Sequence, residues 1–175
     1  MNNMNEIKKD IVAKTIWSAT NILRGTHSMS HNIECILELL FWRFVTMGNN
    51  WVEMAFEPIP EGCHFNDIDK CNGNLSLAEY CDQKYSELLN GIHHCCDIRP
   101  LSSFSEGQEL HQDNTSLREL IKLLHNTPVE YTNELDFIRD MFDTLLQFGS
   151  SSLGRESGGW CSPASINTLV SNLLG

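Results

Sequence analysis

The run Asn32-Ile33-Glu34-Cys35-Ile36-Leu37-Glu38-Leu39-Leu40-Phe41-Trp42-Arg43-Phe44-Val45-Thr46-Met47 constrains the fold more than any other part of the chain. Wound at helical pitch, Ile33, Ile36, Leu37, Leu39, Leu40, Phe41, Phe44 and Val45 cover most of the circumference. A surface helix has one apolar stripe, whereas a helix apolar nearly all round has to be buried by its neighbours. The chain contains no unbroken apolar run of membrane-spanning length, so the stretch reads as a core helix and not as a transmembrane span. The remaining elements are expected to pack around it.

Those elements can be placed from periodicity and capping. Residues 6–24 read as an amphipathic helix. Ile7, Ile11, Ile16, Ala19, Ile22 and Leu23 lie near one face, with Lys8, Lys9, Asp10 and Lys14 largely outside it. Trp17 reads as a core residue. Arg24 suits the negative helix end, and Gly25 fits the left-handed position just beyond it. Residues 48–74 read as loop-rich: the prolines at 58 and 60 hold the chain extended, and 69–74 have turn composition. Ser76-Leu77-Ala78-Glu79 is a capping box opening a helix to about Asn90, with Leu77, Cys81, Tyr85, Leu88 and Leu89 apolar. Residues 93–113 are irregular. Ser116-Leu117-Arg118-Glu119 reads as a second capping box, for a helix through about His125 that Pro128 ends. Thr132 would cap a last long helix over 133–148, and the glycines and serines of 149–154 form a linker. Beyond it, Ser162 and Pro163 suit an N-cap and first helical position, and Ile166, Leu169, Val170, Leu173 and Leu174 share one helical face. The expected fold class is mainly α: a small bundle of about six helices, the last emerging past the linker.

Charge and cysteine content exclude several classes of function. The formal net charge is −11 and unevenly placed. Residues 1–50 hold five Lys/Arg against four Asp/Glu, residues 51–149 hold six against eighteen, and residues 150–175 hold one of each. An acidic domain gains nothing from counterion release, so independent binding to duplex DNA is not expected. The polar start, Met1-Asn2-Asn3-Met4-Asn5-Glu6, has no secretory h-region, which points to a cytoplasmic protein. Seven cysteines, an odd number without a C-x-x-C pair, read as reduced thiols. His93-His94-Cys95-Cys96 invites a metal reading, with Cys63, His64 and Cys71 as the possible further ligands. Adjacent side chains point in different directions, however, and no second pair sits at a zinc spacing, so no metal is expected. The order of Asp67 and Asp69 fails the calcium-loop pattern. No G-x-G-x-x-G, Walker or G-x-S-x-G sequence occurs, and no catalytic residue is assigned.

Several stretches together resemble a known family. Ile16-Trp17-Ser18-Ala19-Thr20-Asn21-Ile22-Leu23-Arg24-Gly25 is similar to an opening box of the type "L-W-x-A-A-D-x-L-R-G". Residues 32–47 resemble "Y-x-x-x-I-L-x-L-L-F-L-K-R-L-S-D" and keep the Arg43 position. Residues 59–68 resemble a "V-P-x-x-A-x-W-x-x-L" strip that pins a loop to the bundle. Residues 135–148, followed by Gly158-Gly159-Trp160-Cys161-Ser162-Pro163, resemble a helix leading into "G-E-F-Y-T-P". The family is the methylation (M) subunit of type I restriction–modification systems, an S-adenosylmethionine-dependent adenine-N6 DNA methyltransferase.

The resemblance implies that residues 1–148 are the N-terminal helical domain. Residues 149–175 would be a linker and the start of an incomplete methyltransferase domain. It implies cofactor contacts at Gly159, Trp160, Cys161, Ser162, Pro163 and Ala164, where Trp160 can stack and Ser162 can donate a hydrogen bond. The family's "D-P-x-x-G-S-G" and "N-P-P-F/Y" strings do not occur, so this polypeptide is expected to bind no S-adenosylmethionine and transfer no methyl group by itself. Expected partners are the specificity subunit and the methyltransferase portion of a type I system, with DNA only inside that complex and no membrane. The alternative is a stand-alone helical protein that interferes with such a complex. No charged residue occurs from Ser157 onward, so the apolar face of the 163–174 helix calls for cover. Self-association through it, lost when the chain is cut after Gly159, is the expected consequence, with folding back on the bundle as the alternative.

Overall fold

The structure is a computed structural model that describes residues 2–26, 28–47, 58–71, 75–92, 100, 104–105, 114–127, 140–141 and 143–145 (for 2–9 and 69–70, the backbone only). Its elements are helix α1 (Asn2–Ile22), helix α2 (Met29–Thr46), a 3₁₀ turn (Phe65–Lys70), helix α3 (Leu77–Asn90) and helix α4 (Thr115–Asn126). Residues 140–141 and 143–145 are also helical, and no strand occurs among the described residues. The protein is mainly α, as the periodicity requires.

Helix α2 is the centre. Every residue of it from Ile33 to Thr46 is buried except Glu34, and Leu39, Trp42 and Val45 are wholly so. It packs against α1, α4 and the 3₁₀ turn, while α4 also packs against α1 and α3. The helix starts at Met29, one turn earlier than the apolar run indicates, because Ser28 is its N-cap and accepts a hydrogen bond from the His31 amide at 3.3 Å. No helix among the described residues is long and apolar enough to cross a membrane.

Helix α1 and the turn that closes it bury Val12, Ile16, Ala19 and Leu23, spaced i, i+4, i+7 and i+11. Ile11 and Ile22, expected on that face, are only half-buried at its margin. Trp17 is not in the core: it is 60% exposed. One residue along a helix is a rotation of about 100°, which carries position 17 off the stripe that Ile16 occupies. Hydrophobicity argued for burial, but the stripe was already filled. Gly25 ends the helix with φ +83°, the left-handed conformation expected of it.

Two further findings refine the expectations. The loop-rich stretch includes a 3₁₀ turn over residues 65–70 that the sequence reading did not place, closed by Asp67 N–H donating to the His64 carbonyl at 2.8 Å and Cys71 N–H to that of Ile68 at 3.2 Å. Its three-residue repeat puts Phe65 and Ile68 on the same side, and both are buried. The second capping box does not form. Helix α4 begins at Thr115, so Ser116 lies inside it, and Asn114 stands at the N-cap with φ +47°. Asn tolerates that conformation, and Arg118 N–H bonds to the Asn114 carbonyl at 2.9 Å, starting the helix two residues before Ser116 could cap it. The first capping box forms as expected: Ser76 Oγ accepts from Glu79 N–H at 3.2 Å, and Glu79 Oε2 accepts from Ser76 N–H at 2.8 Å. Leu77, Cys81, Tyr85, Leu88 and Leu89 are all buried.

Met141 and Leu145, one turn apart, are buried in the 133–148 region expected to be helical. The expected linker at 149–154 and the expected final helix at 163–174 lie outside the described residues, as does the expected division of the chain at 148.

Candidate functional site

Polar side chains are concentrated where α2 meets the ends of other elements. Arg43 is the buried cation of α2. Its Nη1 donates to the Leu124 carbonyl and its Nη2 to the Thr127 carbonyl at 2.8 Å. Both carbonyls belong to the C-terminal end of α4, where four carbonyls lack helical partners and the helix dipole is negative. A planar guanidinium can serve two of them at once. Burial holds its pKa below the usual arginine value. Thr127 Oγ1 donates to the Leu123 carbonyl at 2.9 Å, which leaves Thr15 Oγ1 of α1 to donate to Thr127 Oγ1 at 3.5 Å. One polar knot thus joins α1, α2 and α4.

A second set holds residues 58–71 against α2 and α3. Trp42 Nε1 donates to the Cys63 carbonyl at 2.7 Å. Thr46 Oγ1 donates to the Trp42 carbonyl at 2.9 Å and accepts from Phe65 N–H at 3.2 Å. From α3, Tyr80 Oη donates to the Gly62 carbonyl at 3.3 Å and Lys84 Nζ to that of Glu61 at 3.1 Å. Lys84 also pairs with Glu87 at 2.7 Å. Gly62 has φ +75°, and a Cβ there would lie 3.3 Å from Lys84 Cε, so the turn requires glycine. Beneath these bonds Trp42 meets Phe65 edge-on, with ring centroids 6.3 Å apart, and Tyr85 at 5.6 Å; Tyr85 in turn meets Phe104 edge-on at 5.9 Å. Asp82 fixes that last ring by accepting from Phe104 N–H at 2.6 Å and Ser105 N–H at 3.0 Å.

This arrangement clamps backbone and does not present a reacting group. Cys63 is wholly buried and its thiol donates to Glu87 Oε2 at 3.6 Å. Burial, with Lys84 opposing, pushes its pKa up to about 11, so at neutral pH it is a thiol and not the nucleophilic thiolate. The Cys81 thiol is pushed up by burial as well. Tyr85 is pushed well up by burial and then by the charge of Glu38. Glu87 is pulled below the ordinary carboxylate value, chiefly by its hydrogen bond from Lys84.

Cys35, Cys63, Cys71 and Cys81 are not joined in disulfides. Among the described residues no three His, Cys, Asp or Glu side chains converge to hold a metal, so Cys63, His64 and Cys71 are not brought together as ligands. His93, His94, Cys95 and Cys96 lie outside the described residues, as do Gly159, Trp160, Cys161, Ser162, Pro163 and Ala164. No described residue is assigned to the cofactor.

Sequence reasoning missed the clamp formed by Tyr80, Lys84, Glu87 and Asp82, which reads as ordinary solvated helix surface. Arg43 carried a signal: a cation set among the apolar residues 39–45 of a helix that must be buried requires buried acceptors. Its partners, more than eighty residues away in sequence (|i−j| of 81 and 84), had none.

No known family model matches the chain, and neither a curated protein nor a solved structure does.

Proposed function

We propose that this chain is the N-terminal helical domain of a type I restriction–modification methylation subunit, acting in the cytoplasm by holding subunits together. The supporting observation is that the three resembling stretches of the N-terminal half converge. Residues 16–25 join residues 32–47 through Asn32 Nδ2, which donates to the Leu23 carbonyl at 2.9 Å. Residues 32–47 join residues 59–68 through the Trp42–Cys63 and Thr46–Phe65 bonds. The strip that resembles a loop-pinning element is held to the bundle by four side chains, Trp42, Thr46, Tyr80 and Lys84. In this reading the described domain supplies the scaffold. The specificity subunit reads DNA, and the catalytic portion of the complex holds S-adenosylmethionine and the target adenine, with 159–164 at the edge of the cofactor pocket.

The test is co-expression of the tagged chain with the specificity and methylation subunits of a type I system from the same genome. Co-purification of the specificity subunit, with DNA retained only when the whole assembly is present, is the expected result. Failure to retain any subunit at micromolar concentration would end the proposal. Binding that lowers adenine methylation by an otherwise complete system would replace it with the interfering-protein reading.

A further inference from the structure

We draw no further inference here: the strongest candidate, the exposed Trp17 indole on the outer face of α1, carries nothing because nothing in the structure shows what covers it.

Discussion

Replacing Arg43 with Met tests whether the buried cation supports the fold or burdens it. Met retains most of the aliphatic stem and its packing, so the change is confined to the guanidinium and its two bonds to the Leu124 and Thr127 carbonyls. Hydrogen bonds from a charged donor contribute about 1.5–3 kcal/mol each, and a carbonyl left buried without a partner costs about 1–3 kcal/mol. Against this, the variant no longer has to desolvate a cation, a burden of several kcal/mol that a well-bonded site only just offsets. The balance is a loss of about 3 kcal/mol, a large fraction of the ~5–15 kcal/mol that holds a domain together. With a urea dependence of about 2 kcal/mol/M, the unfolding midpoint should fall by about 1.5 M at unchanged slope. Arg43→Lys keeps the charge but reaches one carbonyl at a time, and should fall between the two. Lys14→Ala is the control: its ion pair with Asp10 spans 3.2 Å, but both side chains are more than 70% exposed, so the change should stay within about 0.5 kcal/mol. A midpoint for Arg43→Met equal to or above that of the parent would refute the argument, showing that the C-terminal end of α4 is held without the bonds from Arg43.

The remaining predictions concern the clamp around residues 58–71. Gly62→Ala should cost more than Gly25→Ala, although both sites have positive φ, because only at 62 does the new Cβ also meet a neighbour, Lys84, at 3.3 Å; the left-handed strain alone is about 1–2 kcal/mol, and equal shifts in Tm would count against the close approach. Glu87 has a folded pKa below its ordinary 4.5, so the unfolded chain takes up its proton first. The stability from its Lys84 bond is therefore present above about pH 4.5 and is lost as acid carries the pH down through the lowered folded value. Acid unfolding curves of the parent and Glu87→Gln should converge at low pH, and curves parallel throughout would rule this coupling out. Cys63 shifts the opposite way for stability: its raised pKa keeps the neutral thiol in the fold, so its contribution is complete below 9 and declines as the pH rises towards about 11. In native protein at neutral pH, mass-mapped alkylation should label half-buried Cys71 well before Cys63; early labelling of Cys63 would contradict its burial.

What was legible in advance follows from the range of the interactions involved. The centrality of α2 needed only its composition, since residues apolar around a whole circumference admit no exposed face. The Ser76–Glu79 box and the left-handed Gly25 were equally readable, because capping is settled within one turn of chain. Trp17 and Ser116 misled for a common reason. Each residue had the right chemistry for the role, but a neighbour took that role: Ile16 and Ala19 filled the core stripe of α1, and Asn114 opened α4 first. The cofactor box at 159–164, by contrast, rests on resemblance and lies outside the described residues.

For α1 to α4 the sequence by itself determined that the segments are helical and which face most of them bury, because hydrophobic periodicity and capping are local and act along one segment at a time. Only the tertiary structure decided where the polar groups go. Arg43 finds acceptors at the end of a helix 81 residues further on, and Lys84 and Tyr80 find theirs in a loop that precedes them by about twenty. A hydrogen bond depends on positions matched to a fraction of an ångström, and those positions exist only after the apolar faces have packed.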